Sequence, residues 1–215
     1  MTKARAIAWD IDGTLVDSEP LHHLCLTTTS MRYGVNLGPA SHEQFIGRDM
    51  DWTWQVLEAR FPPKLTFATW RNEIIDAYVN RSSSLVAQPF VLETMQALRA
   101  AGIRQVCVSN SERIIVDANL SALGIRDLLE FSISRDDVAV GKPDPTPYLE
   151  ACRRLDCVPL ELVAIEDSQS GLQSAQAAGL RTIFIACDEC DLSIRRKAMG
   201  AILDLCGVVS SLPIV

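Results

Sequence analysis

Two aspartates stand two residues apart, Asp10 and Asp12, directly after the run Ala6-Ile7-Ala8-Trp9 and directly before a Gly13-Thr14 turn. A short apolar run bounded by a turn signal reads as a strand covered on both faces. Residues i and i+2 of a strand share a side, so the two carboxylates are expected to crowd together at its end. Like charges that close are unfavourable unless a cation or a shared proton intervenes. A pair of this kind suits a metal site or a nucleophile.

Later stretches offer complementary groups. Ser109-Asn110 follows the apolar Val106-Cys107-Val108, Lys142 lies in the loop Gly141-Lys142-Pro143-Asp144-Pro145, and Glu166-Asp167-Ser168 follows another apolar run. The acids Asp10, Asp12, Glu166 and Asp167 outnumber the single lysine, so a divalent cation is the economical way to keep them charged at neutral pH. Carboxylate oxygens without a His or Cys cluster suit a hard ion, and a sparse set suits Mg²⁺ completed by water and a substrate phosphate. Helix N-termini expected after Asn110 and Ser168 suit an anion. A metal, a lysine and helix N-termini together favour phosphoryl chemistry, where catalysis is mainly positioning and charge stabilisation. Each piece alone has a plainer reading as an acidic turn, a surface lysine or a helix cap. Their recurrence at successive strand ends points to one site.

The elements that must position these groups alternate from residue 85 onward. The pattern predicts helices over 89–101, 111–123, 145–155 and 170–178, and strands over 104–109, 130–134, 162–166 and 182–186. Leu192 to Val215 is expected to add a helix and a closing strand or tail. Gly102, Gly124 and Gly179, each followed by Ile or Leu and then Arg, read as left-handed helix stops before the chain re-enters the sheet. Strands alternating with helices predict an α/β fold, a doubly wound parallel sheet of Rossmann-like type. Ser18 to Ser84 instead reads as all helical, with Leu21, Leu24, Cys25 and Met31 on one expected stripe and Phe67, Trp70, Ile74 and Ala77 on another. The expected organisation is a core domain of residues 1–17 and 85–215 interrupted by a helical cap domain of residues 18–84. Ligands of open α/β sheets bind at the carboxyl ends of the strands. An insertion rooted there is expected to act as a lid that excludes water and selects substrate.

Composition sets the outer bounds. The 215 residues carry 48% hydrophobic and 22% charged side chains and a net charge of −7, which disfavours nucleic-acid and anionic-membrane partners. No apolar run approaches the ~20 residues of a membrane helix, and the first residues show no signal-peptide pattern. Seven cysteines without such a signal are expected to be reduced thiols of a cytoplasmic protein, with Cys187 and Cys190 a structural pair.

Asp10-Ile11-Asp12-Gly13-Thr14-Leu15-Val16-Asp17-Ser18-Glu19, then Ser109-Asn110, Lys142-Pro143 and Glu166-Asp167-Ser168-x-x-Gly171, resemble the four ordered motifs of the haloacid dehalogenase superfamily. The helical insert resembles the small cap of its β-phosphoglucomutase-like and phosphoglycolate-phosphatase-like branch. The resemblance implies that Asp10 takes the phosphoryl group as an aspartyl-phosphate. It implies that Asp12 protonates the leaving oxygen and then deprotonates water. It implies Mg²⁺ held by Asp10, the main-chain carbonyl of Asp12, Asp167 and, directly or through water, Glu166. Ser109, the Asn110 amide and Lys142 would bind the phosphoryl oxygens. A second acid after the nucleophile argues against dehalogenation. His22, Gly47 and Arg48, with His23 and Asp49 beside them, are the expected substrate contacts of the cap. His22 matches a histidine of the mutases, but Gly47-Arg48-Asp49 departs from their serine-arginine pair.

The expected function is therefore a Mg²⁺-dependent phosphatase, acting as a monomer on a small sugar or sugar-acid phosphate. A phosphosugar mutase is the alternative within the branch. A receiver-like phosphoacceptor module is the alternative outside it, disfavoured by the helical insert and by Asp12.

Overall fold

The structure, a computed structural model, describes residues 3–38, 44–45, 50–185 and 200–202. The chain forms two compact units, Met1–Asp17 with Val86–Val215, and Ser18–Leu85. The first holds a parallel sheet of β1 (Ala6–Trp9), β2 (Arg104–Val108), β3 (Ser132–Ile133), β4 (Leu162–Glu166), β5 (Arg181–Ile185) and β6 (Gly200–Ile202). Their order is β3-β2-β1-β4-β5-β6, every pairing parallel. The order reverses between β1 and β4, which is where a ligand crevice opens in such sheets.

The helices between these strands, numbered after those of the second unit described below, are α4 (Val91–Ala100), α5 (Arg113–Leu123), α6 (Thr146–Leu155) and α7 (Gln169–Ala177). On one sheet face Ala6, Ala8, Val106, Val108, Leu162 and Ala164 pack with Tyr148, Ala151 and Leu155 of α6 and Ala175 of α7. On the other face Trp9 Nε1 donates to Gln105 Oε1 at 3.1 Å, and Gln105 Nε2 donates to the Met95 carbonyl of α4 at 2.9 Å. β1 and β4 are buried along their whole length, as near-continuous apolar runs of central parallel strands must be. Gly102, Gly124 and Gly179 take the expected left-handed conformation, with φ of 76°, 64° and 81°.

The second unit contains α1 (Glu19–Arg32), α2 (Met50–Leu57) and α3 (Phe67–Val79), with α1 packed on α3. Thr66 caps α3, its side chain accepting the Thr69 N–H. The fully buried Trp70 meets Trp54, Phe61 and Phe67, so Trp54 and Trp70 belong to this unit's core. The expected stripe of α1 is corrected. Leu24 and Met31 are 46% and 53% exposed, whereas Leu21, Cys25, Thr29 and Ser30 are buried. The buried row follows i+4 steps from Leu21 through Cys25 to Thr29, and small hydroxyls fill positions that hydrophobicity alone assigns elsewhere. The Cys187 and Cys190 pair lies outside the described residues. No helix among the described residues is long and apolar enough to cross a membrane.

Gln105 is 2% exposed and joins β1, β2 and α4. Gln105→Leu leaves the Trp9 N–H and the Met95 carbonyl buried without this partner. The expected loss is about 1–3 kcal/mol, read as a lower urea midpoint at unchanged m-value.

Candidate active site

Asp10 directly follows β1, and its N–H donates to the Ile165 carbonyl of β4 at 3.0 Å. Pairing of Trp9 with Ile165 thus sets Asp10 beside Glu166, the last residue of β4. Lys142 reaches between them. Its Nζ donates to Asp10 Oδ1 at 2.6 Å, Glu166 Oε1 at 2.6 Å and the Val108 carbonyl at 2.7 Å. All three ammonium hydrogens are thereby used. Asp10, Lys142 and Glu166 are only 8%, 7% and 0% exposed. Asp167 completes the group, accepting from Thr14 Oγ1 at 3.1 Å.

Asp10, Glu166 and Asp167 each present an oxygen within 4.8 Å of the others. Burial pushes the Asp10 carboxyl well above its ordinary range; Lys142 opposes this, while Glu166, Asp167 and Asp12 reinforce it. Burial, then Glu166, lifts Asp167 to about 7 against the pull of Thr14 and Lys142. Burial works against the Lys142 charge, but Asp10 and Glu166 outweigh it and the net shift is upward. Three carboxylates against one ammonium leave 3 − 1 = 2 negative charges when all are ionised. An all-oxygen donor set with that surplus fits a hard divalent cation.

Two glycines create the room. A Cβ on Gly13, at φ +84°, would stand 2.0 Å from Asp167 Oδ2, and one on Gly171 would stand 1.9 Å from Glu166 Cδ. Ser168 caps α7, its Oγ accepting the Gly171 N–H at 3.0 Å and donating to Glu166 Oε2 at 3.1 Å.

Asp12 departs from the expected crowding. Its Oδ2 accepts from Ser109 Oγ at 3.3 Å and Ser111 Oγ at 2.8 Å, and its Oδ1 accepts from Asn119 Nδ2 at 3.0 Å. The pleat rule fails because β1 ends at Trp9 and the chain is already turning, with the Gly13 N–H bonded to the Val16 carbonyl. The Asp12 side chain stands outside the group of three acids, so a metal contact from Asp12 falls to its main chain. Asn110 also differs from a simple anion contact. Its side chain accepts the Lys142 N–H at 2.8 Å and donates to the Lys142 carbonyl at 3.0 Å. That clamp fixes the lysine loop and leaves the Asn110 main-chain amide available to a ligand.

His22 lies in the helical unit, its ring stacked on Tyr78 with centroids 4.3 Å apart. Gly47, Arg48 and Asp49 lie outside the described residues. Sequence reasoning missed Tyr148, Ser111 and Asn119 as site neighbours. Tyr148 O–H donates to Glu166 Oε1 at 2.5 Å, and its ring lies 5.3 Å from Lys142 Nζ. Nothing local in the sequence announces that contact. Asn119 did carry a signal: it interrupts the buried face Ile115, Val116, Leu120 of α5 with an amide.

Gly171→Ala forces Glu166 off its partners. The expected cost is about 1–3 kcal/mol, visible in chemical unfolding. Asp167 binds its proton more tightly in the folded protein, near 7 against an ordinary value of 3.8. The folded state therefore holds more protons than the unfolded chain between those values, and stability of the metal-free protein falls as pH rises through that window. In EDTA, the melting temperature is expected to drop from pH 5 to pH 7.5, and Asp167→Asn to flatten the drop.

A phosphoglycolate phosphatase of Pectobacterium atrosepticum is 30% identical over 193 residues, covering 85% of this chain and 80% of that protein. A phosphorylated carbohydrates phosphatase of Thermotoga maritima is 26% identical over 180 residues, covering 83% of each. The crystal structure of CbbY from Rhodobacter sphaeroides in complex with phosphate superposes with a TM-score of 0.86 at 24% identity, covering 97% of this chain and 99% of that one; it bears on the fold. The family of haloacid dehalogenase-like hydrolases matches residues 7–185, the span from β1 to β5 that carries the acids and the lysine, and this chain is an enzyme belonging to that family.

Proposed function

We propose that this enzyme is a Mg²⁺-dependent phosphoric monoester hydrolase that cleaves a small phosphorylated metabolite, a sugar or sugar-acid phosphate, through a phosphorylated Asp10. The observation that carries the reading is the group of Asp10, Glu166 and Asp167, the first two buried, with Lys142 bonded to those two. The relatives named as phosphatases of phosphoglycolate and of phosphorylated carbohydrates support the substrate class.

In this reading Asp10, Asp167, the main-chain carbonyl of Asp12 and, directly or through water, Glu166 would hold Mg²⁺, which when bound would offset charge on the phosphoryl oxygens. The Asp10 carboxylate attacks phosphorus as the bond to the bridging oxygen breaks. Asp12 delivers a proton to that oxygen, which departs as the alcohol. Asp12 then takes a proton from water as the water oxygen bonds to phosphorus and the acyl-phosphate bond breaks. Phosphate leaves and Asp10 is restored. Ser109 and the Asn110 main-chain amide bind phosphoryl oxygens. Lys142 holds Asp10 and contacts the phosphoryl group by exchanging one of its three present bonds. Substrate choice is assigned to the helical unit, with His22, Gly47 and Arg48 as its contacts.

The test is phosphate release over a panel of sugar and sugar-acid phosphates, with Mg²⁺ and with EDTA. Turnover is expected only with the metal, and Asp10→Asn is expected to reduce it on the order of 10³-fold or more at unchanged circular dichroism. Full activity of Asp10→Asn would overturn the mechanism. An isomeric sugar phosphate as product, without free phosphate, would move the enzyme to the mutases.

A further inference from the structure

Asn119 is a polar residue where the α5 pattern calls for an aliphatic one. It is 0% exposed and shares its face with Ile115, Val116 and Leu120. An amide buried there is unfavourable unless it bonds, and it bonds to Asp12 Oδ1 at 3.0 Å. Ser111, in the loop before α5, donates to the other oxygen at 2.8 Å. With Ser109 at 3.3 Å, both oxygens of Asp12 are held from the segment that follows β2.

We infer that Asn119 and Ser111 are positioning residues for Asp12, fixing the rotamer from which it serves the leaving oxygen. The inference rests on the role proposed above for Asp12. The chemistry of the donors also divides the two oxygens. An amide NH₂ only donates, so Oδ1 is bound as an acceptor. Oδ2 faces hydroxyls, which can donate or accept. The proton for transfer is assigned to Oδ2, with the Ser109 and Ser111 hydroxyls, which donate to it here, rotating when it is protonated. As the phosphorus–oxygen bond breaks and the Asp10–phosphorus bond forms, that proton passes to the bridging oxygen. The substrate alcohol leaves, and Asp12 remains as a carboxylate held by the same donors. Asn119 touches no reacting atom in this scheme; it acts through Asp12.

A buried amide with a purely structural role makes a different prediction from one that aims an acid. An aliphatic phosphate needs protonation of its leaving oxygen, whereas p-nitrophenyl phosphate leaves as a stable phenolate. The value of kcat/KM covers the steps through departure of the leaving group. The experiment measures it for glycerol phosphate or the best aliphatic substrate of the panel, and for p-nitrophenyl phosphate, in wild type, Asn119→Leu, Ser111→Ala and Asp12→Asn. General acid catalysis contributes on the order of 10²–10⁴-fold. Asn119→Leu is expected to lose roughly 10- to 100-fold on the aliphatic ester and less than about 3-fold on the aryl ester, with the melting temperature held or raised. Ser111→Ala is expected to show the same selectivity in smaller measure, and it carries the test if Asn119→Leu does not fold. Equal losses on both esters, or none, would overturn the inference while Asp12→Asn remains selective. If Asp12→Asn itself loses equally on both, the proposed role of Asp12 fails and the inference with it.

Discussion

One ammonium between two buried carboxylates is the constraint on which the rest depends. Lys142 lies 2.6 Å from Asp10 and 2.6 Å from Glu166, groups separated by most of the chain. Removing such charges from water is expensive, and partial pairing recovers that cost only with good geometry and further bonds. The further bonds are present: Val108 closes the third donor of Lys142, Tyr148 and Ser168 serve Glu166, and Thr14 serves Asp167. The order of the sheet then follows as a requirement. β1 and β4 must be neighbours, because only adjacent strands bring residues 10 and 166 within reach of one lysine. The surplus of carboxylate over ammonium is what makes the same constellation a receptor for a cation.

The two aspartates of the first loop diverge, and the divergence divides the site. Asp10 faces the lysine and the β4 acids, while Asp12 faces Ser109, Ser111 and Asn119 from the β2 side. Two carboxylates two residues apart thereby receive opposite surroundings, one cationic and buried, the other a cradle of neutral donors. Separating environments is how a protein gives chemically identical groups different tasks. The turn at Gly13 makes this available, because it ends the pleat before residue 12 and at the same time vacates the space that Asp167 occupies.

Most of the fold was legible because its signals are local and redundant. Ala6–Trp9 and Leu162–Glu166 are continuous apolar runs, and helix stops at Gly102, Gly124 and Gly179 mark returns to the sheet. The strand expected over 130–134 is shorter, two residues instead of five, because its register with β2 covers only Ser132 and Ile133. Of the candidate site, Asp10, Lys142, Glu166 and Asp167 were legible as residue types at strand ends, and the structure brings them together. The direction of Asp12 was not legible, since it is set by a turn and by partners roughly a hundred residues later. Tyr148 was hidden for a related reason: an aromatic in the first turn of a buried helix reads as core, and its hydroxyl bond exists only once α6 lies on β4.

Asn110 shows why residue types at strand ends say less about contacts than about location. The Asn110 amide is expected to meet the ligand, and beside that its side chain holds the main chain of the lysine loop. Gly141 is part of the same arrangement, because a Cβ there would stand 2.6 Å from Asn110 Oδ1. A lysine whose ammonium is buried must approach along one path, and a loop free to shift by an ångström would lose bonds to both acids at once. The clamp therefore converts a flexible side chain on a loop into a fixed charge. The separation that emerges is between residues that face the reacting group and residues that hold those in place. Tyr148, Ser168 and Asn119 fall in the second class by their contacts, and so does the side chain of Asn110. Each of these side chains sits beside, and not on, the acids that sequence patterns single out.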